Sequence, residues 1–463
     1  MLILLSAILE EKMNNTCGTS TINVTNCGPI GNPSGDNETI NCAIAEASKK
    51  PGSTLYFPAG DYYYKGTISL KGKDFSIIGD GCGTKIHAVS SNETILDLTD
   101  YVGSGREFRG FVLQGKGGTD ISQKGLVFEN KKGAGYISFR DIQIVDTAGE
   151  CLLLNNLVLS HIENIQLIRT FHENRLTPYL HMLGPTNGNR FIGIGVRSTC
   201  AALEFPDGAI IIEDDGKFAP TSNFLLGWWD EFLHIPKNGA VLVLKGNGNI
   251  IDGWQSFDMN VADKGLGTAF FRIKNPSVTN YGGNEIRGFI PGPEILERGI
   301  VVEQSRNRIV GIKGFGGGSG YGGNNIELRP NVEYTYIEIG GAFSGVWGNP
   351  IVLDNSGKTN NTIIDGFRGS LRLPSEIRFG GRFAPASGDT AGSIKIPKGA
   401  ATAVRNFSSA FATIPRVIIT PRNDPGTRFW VTPALGSFTI NLGAPVTTGD
   451  VWFDYLVLDS GAL

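Results

Sequence analysis

The chain reads as an all-β protein, a parallel β-helix followed by a small antiparallel β-sandwich. Three observations carry this reading. A short phrase, Asn249-Ile-Ile-Asp-Gly-Trp254, returns as Asn189-Arg-Phe-Ile-Gly-Ile194, Asn284-Glu-Ile-Arg-Gly-Phe289, Asn307-Arg-Ile-Val-Gly-Ile312 and Asn361-Thr-Ile-Ile-Asp-Gly-Phe367, with a truncated copy at Asn325-Ile-Glu-Leu328. Copies are spaced by roughly one to two times 20–25 residues, as stacked repeats are. Glycine, at 64 of 463 residues, is about twice average usage, as befits a chain that turns often. From residue 393 the phrase gives way to longer alternating strands.

Within the phrase, Asn is expected at the left-handed corner, its side chain bonding the same group one coil on. The aliphatic residues would fill a narrow core, and Gly would permit the next bend. The chain exceeds one ordinary globular core, but a solenoid grows by stacking and escapes that limit. Charged residues are 18% and the net charge is −3, so no basic field invites nucleic acid.

Taken in order, residues 1–20 read as a leader or docking segment. Met1-Leu-Ile-Leu-Leu-Ser-Ala-Ile-Leu9 is apolar but too short to span a bilayer, and Glu10-Glu11 follow. Residues 21–380 are assigned to the solenoid. Ile40, Ala43, Ile44 and Ala47 give helical spacing up to Ser48, with Asp36 as cap and Pro51-Gly52 as stop. Strands follow at 54–62, 67–70, 75–81, 108–113, 136–145 and 159–168. Two stretches, 170–185 and 204–236, break the rhythm, and insertions in a solenoid gather on one face and carry function. The glycine-rich run 314–323 has no strand-to-helix context and reads as a turning loop, not a phosphate cradle. Residues 381–392 form a linker. Six strands, at 393–396, 403–407, 416–420, 429–432, 437–442 and 451–458, make up the sandwich, 393–463.

Six cysteines, at 17, 27, 42, 82, 151 and 200, leave open either one or two disulfides among the first four or buried thiols. No Cys/His spacing suggests a metal, so no cofactor is expected, although scattered carboxylates on neighbouring rungs could hold a structural Ca²⁺. Asn-x-Thr/Ser sequons at Asn14, Asn23, Asn37, Asn92, Asn360 and Asn406 suit an exposed protein and also arise by chance in an Asn/Thr-rich one.

The phrases Leu55-Tyr-Phe-Pro-Ala-Gly-Asp-Tyr62 and Ile77-Ile-Gly-Asp-Gly81, behind a loop and short helix, resemble the start of the pectate-lyase-like right-handed β-helix superfamily. Viral tailspikes and polysaccharide-degrading enzymes share that opening, so the resemblance implies a fold more than an activity. Phe411-Ala-Thr-Ile-Pro-Arg-Val-Ile-Ile419, Phe438-Thr-Ile-Asn-Leu442 and Trp452-Phe-Asp-Tyr455 resemble the H-type lectin domain. That resemblance implies a trimerising, sugar-binding sandwich, with Trp452 and Arg428 as candidates.

Polysaccharide hydrolysis needs an acid for the leaving oxygen and a second carboxylate as nucleophile or base. Asp214, Asp215, Asp230 and Glu231 supply carboxylates in one irregular stretch, and Trp228 and Trp229 could stack on sugar rings. The order Asp214-Asp215, His234, Arg272-Ile-Lys274 partly resembles the polygalacturonase family. It departs in lacking Asn-Thr-Asp before the pair and in placing His234 within Leu-His-Ile. A lyase would instead use a base and a cation for the uronate carboxylate, for which His172, Arg175, Tyr179 and His181 are candidates. His234, Arg272, Lys274 and Arg175 therefore join the tryptophans as expected substrate contacts. The expectation is a tailspike-like homotrimer on a virion or outside the cell, docked to other virion proteins through its N-terminus, that binds and cleaves a host-surface glycan. A non-catalytic adhesin and a free secreted enzyme are the alternatives.

Overall fold

The computed structural model describes residues 20–170, 177–198, 207–231, 233–235, 238–257, 260–261, 268–278, 282–288, 298–312, 326–339, 352–365, 370–372, 378–379, 382–383, 391–407, 410–411 and 413–458. These fall into two units. One comprises Met1–Val332, Tyr336–Ser356 and Asp365–Arg368, the other Glu333–Thr335, Gly357–Ile364 and Gly369–Leu463.

The first unit is a parallel β-helix. A narrow sheet of 11 strands runs from Ile68–Ser69 to Val352–Asp354. Along it, Leu126, Leu152, Leu180, Ile210, Leu242, Phe271, Ile300 and Ile326 lie in register, one above the other, and all are buried. The facing sheet is bent. Phe108, Phe139, Ile162, Phe191, Leu225, Ile251, Ile286 and Ile309 form its inward column, also buried. Each such side chain contributes roughly 2 kcal/mol by leaving water. The bend is made by one left-handed residue per rung: Asp141 and Asn164 in early rungs, then Gly193, Gly227, Gly253, Gly288 and Gly311. The Gly of the repeated phrase is thus the kink itself, where a side chain would be strained.

The Asn of the phrase is not left-handed. That conformation belongs to the residue before it: Gly188, Ser222, Gly248, Gly283 and Arg306 all have φ between 55° and 83°. The Asn side chains form the expected ladder. Asn189 Nδ2 donates to Asn223 Oδ1 at 3.0 Å, Asn223 Nδ2 to Asn249 Oδ1 at 3.0 Å, and Asn249 Nδ2 to Asn284 Oδ1 at 3.1 Å. Every rung of this ladder is buried, so each amide satisfies groups that water cannot reach. Asn223-Phe-Leu-Leu-Gly-Trp228 is itself a rung, so the stretch 204–236 is not wholly an insertion. The truncated copy Ile326–Leu328 belongs to the narrow sheet instead.

The helix spans Asn37–Ser48 and buries Ile40, Ala43, Ile44 and Ala47 against the first strands. Asp36 stands at its N-cap without a side-chain cap bond. Its carboxylate accepts instead from the N–H groups of Gly31, Asn32 and Tyr63 at 2.9–3.0 Å, which ties the preceding loop to the rung. Cys27 and Cys42 are disulfide-bonded, Cys82 is exposed and Cys151 buried; Cys17 and Cys200 lie outside the described residues. The sandwich in the second unit has two three-stranded antiparallel sheets, Ala391–Ile396/Val451–Leu458/Arg416–Pro421 and Thr402–Asn406/Ser437–Leu442/Phe429–Pro433. Phe407, Phe411, Phe438, Ile440, Phe453 and Tyr455 pack in its core. Among the described residues no helix is long and apolar enough to cross a membrane.

Candidate functional site

A groove follows the corner where strands of the narrow sheet end. Three clefts, of about 840, 360 and 290 Å³, lie along it and share lining residues. Asp100, Asn130 and Lys131 line the first and second, and Lys217 and Phe218 the second and third. The sequence builds the widest part with a bulge. Register jumps from Glu129↔Asn155 to Ala134↔Leu157, so Asn130–Gly133 stand opposite the single Asn156. A bulge of this kind displaces backbone from the ladder and re-aims its side chains. Asn130 Nδ2 donates to the Tyr101 carbonyl at 2.7 Å and fixes the bulge to the rung below.

Polar and apolar groups alternate along the groove. Val102, Tyr136, Leu159 and Phe218 are each more than half exposed (63%, 58%, 54% and 57%) and gather along the groove, as apolar groups do on a binding surface. Tyr136 and Leu159 hold left-handed backbones, at the corner taken by Gly188 and Gly248 in later rungs. Three carboxylates line it: Asp100, with Lys71 Nζ 3.5 Å away, Glu129, and Asp215. Asp215 Oδ1 accepts from the N–H groups of Lys217 and Phe218 at 2.9 and 2.8 Å. Its Oδ2 lies over Gly184, 2.8 Å from where a Cβ would stand, so glycine there makes room for the carboxylate.

Beside the groove a chain of charges crosses the outer face of the narrow sheet. His181 Nε2 is 3.0 Å from Glu213 Oε1, and Nδ1 is 3.7 Å from Glu150 Oε1. Lys245 Nζ bonds Glu213 at 2.6 Å, and Lys124 lies 3.3 Å from Glu150. Burial alone would lower the pKa of His181, but its bonds to Glu150 and Glu213 outweigh that and raise it. Burial would raise Glu150, yet His181 and Lys124 hold it down to about 2. Glu213 is likewise held at about 2, first by His181 and then by Lys245, against burial. His181, its pKa raised by two glutamates, lies four residues before the groove-lining Pro185. Sequence reading named His181 only as a lyase candidate and passed over Glu150 and Lys245, because register, not spacing, brings them together.

The four carboxylates expected in one place do not share one. Asp214 and Asp215 follow strand Gly208–Glu213 of the narrow sheet, whereas Asp230 and Glu231 sit on Trp229–Glu231 of the bent sheet. Asp214 caps a turn, accepting from the N–H groups of Gly216 and Ser277. Asp230 is fully buried and accepts from Trp254 Nε1 at 2.6 Å. Glu231 points outward and pairs with Arg197 at 3.2 Å. Trp228 is buried in a row of rings, Phe191, Trp228, Trp254 and Phe271, spaced 5.1–6.0 Å apart, and offers no surface to a sugar. Adjacent strand residues face opposite ways, so Trp229 is part-buried on the outside.

Arg272 lies on the narrow sheet between Val243 and Val301, with its pKa lowered by burial, and Lys274 follows that strand. The backbone of His234 pairs with Asn260 in a separate two-stranded ladder. Tyr179 is buried under the Arg169 guanidinium, 4.3 Å from its ring centroid, and serves the core. His172 and Arg175 lie outside the described residues. Among the described residues no three His, Cys, Asp or Glu side chains converge to hold a metal ion.

Residues 21–117 match the sequence profile of the family described as rhamnogalacturonase A/epimerase, pectate lyase-like. No curated protein matches the chain. Among solved structures, ORF18 of Geobacillus virus E2 is similar at 14% identity and a TM-score of 0.48, over 99% of this chain and 82% of that one. The tailspike protein of Acinetobacter phage vB_ApiP_P1 is similar at 11% identity and 0.49, over 96% and 88%. The A-module of a mannuronan C-5 epimerase from Azotobacter vinelandii is similar at 13% and 0.45, over 74% and 100%.

Proposed function

We propose that the chain is a tailspike-like protein that binds an extended host-surface glycan in this groove and cleaves it. The observation that carries the proposal is the groove's continuity: three clefts share residues across successive rungs, as a linear polymer requires. Exposed apolar faces at Tyr136, Leu159 and Phe218 suit the C–H faces of sugar rings, and Asp100, Glu129 and Asp215 suit their hydroxyls and the chemistry of the glycosidic bond. The profile match over the first rungs agrees with a polysaccharide substrate. In this reading the protein acts on a virion or outside the cell as a homotrimer. Its N-terminal segment docks to other virion proteins, and the lectin-like sandwich joins the three chains.

The test is a reducing-sugar and unsaturated-uronate assay across capsular and plant glycans. Replacing the working carboxylates singly, Asp100→Asn, Glu129→Gln and Asp215→Asn, is expected to lower turnover roughly a hundredfold or more at the acid and the base. Undiminished cleavage by all three variants moves the chemistry out of the groove. Binding without cleavage by the unaltered protein supports the second reading, a non-catalytic adhesin. That reading is favoured by the structural duties of two carboxylates, Asp215 in its turn and Asp100 beside Lys71.

A further inference from the structure

On the second arm of the bent sheet, Gln166, Gly195, Trp229 and Gln255 stand in register on consecutive rungs. All four positions face outward, since their strand neighbours Leu167, Val196 and Asp230 are buried. Gly195 is decisive here. A Cβ at that position would stand 2.3 Å from Trp229 Cζ2 and 2.4 Å from both Cε2 and the Gln166 Oε1. The indole therefore covers the glycine on the rung beneath, part-buried there, and the Gln166 amide reaches the same spot. The next row carries Arg197 and Glu231, paired at 3.2 Å, with Arg197 44% exposed. Gln255, on the far side of the ring, is exposed.

We propose that this flank is a second sugar-binding platform, separate from the groove, and that it takes a neutral pyranose. An aromatic ring on an outer face, seated over a glycine and partly open to water, suits the apolar C–H face of a sugar. Carboxamides at either end and a guanidinium alongside supply donors and acceptors at the height of ring hydroxyls. The local charge is balanced, because Glu231 already neutralises Arg197 and both glutamines are neutral. A uronate carboxylate would find no unpaired cation among these side chains and would meet Glu231. The platform thus selects a neutral hexose, whatever the groove accepts.

The experiment is calorimetric titration of the full chain with neutral gluco- and galacto-configured hexasaccharides and with oligouronates of the same length. The neutral sugars are expected to bind. Trp229→Ala should weaken them at least tenfold and Trp229→Phe by less, with the unfolding midpoint little changed. Failure of the groove is read separately, as cleavage undiminished in Asp100→Asn, Glu129→Gln and Asp215→Asn, so failure of the platform and failure of the groove give different results. Three results overturn the proposal: no neutral sugar whose affinity depends on Trp229, oligouronates bound equally well through it, or a Trp229→Ala variant that changes only the mass seen by light scattering. The last would assign the indole to contact with a second copy of the chain.

Discussion

Folding raises the pKa of His181 and lowers those of Glu150 and Glu213, so the three act in different pH windows. With its pKa raised, His181 lends stability that is complete below its ordinary value and fades as pH rises through the folded one. The glutamates, held at about 2, lend stability that is complete above the ordinary carboxylate range and is lost as pH falls towards about 2. Thermal unfolding of His181→Asn is therefore expected to show a larger loss at about pH 5 than at about pH 9. Glu213→Gln should cost about 2 kcal/mol near neutrality, the value of a charge-assisted bond, and the difference should vanish in acid. A loss independent of pH in both variants would assign the cluster to packing alone.

At the scale of one rung, much of the design was legible. The Asn-x-x-x-Gly phrase gave the bent sheet, its apolar column and the amide ladder, because buried corner positions tolerate few residue types. The rung at Asn223–Trp228 carries the same spacing as Asn249–Trp254, but it lies between Glu213-Asp-Asp215 and Trp229-Asp-Glu231, whose carboxylates and indole have the composition of a sugar site. Its inward residues, Trp228 and Asp230, consequently belong to the core. The groove was not legible, since it depends on a bulge at Asn130–Gly133 and on corners of neighbouring rungs that are about 30 residues apart in sequence. The ladder makes a sharp prediction. In Asn249→Ala, the backbone N–H and side-chain amide of Asn223 lose their acceptor at 3.0–3.1 Å, and the Pro220 carbonyl loses a donor. The Asn223 amide keeps the Thr186 carbonyl and Pro220 keeps the Asn247 N–H, so the Asn223 backbone N–H is the orphan. A buried orphan costs about 1–3 kcal/mol, and denaturant unfolding should shift by about 2 kcal/mol, whereas Ser222→Gly, at the exposed left-handed corner, should be neutral or stabilising.

For the whole molecule, the proposed trimer rests on the sandwich. Ile418 and Leu456 pair in register on the outer face of one of its sheets and are 52% and 37% exposed, an apolar pair left uncovered among the described residues. Light scattering of the full chain at micromolar concentration is expected to give about three chain masses, and Leu456→Glu to give one; a persistent monomer before mutation rejects the assembly. The solenoid poses the opposite problem, because a stack of parallel rungs has an end that another stack could extend. Here the helix Asn37–Ser48, stapled by Cys27–Cys42 and tied down by Ser53 Oγ donating to the Ala47 carbonyl, packs over the first strands. Its value is best seen as a stop on polymerisation: a chain relieved of residues 20–52, the strand Thr21–Asn23 among them, should keep the rungs from Ser53 onward yet grow end to end, scattering light as filaments where the intact protein gives discrete particles.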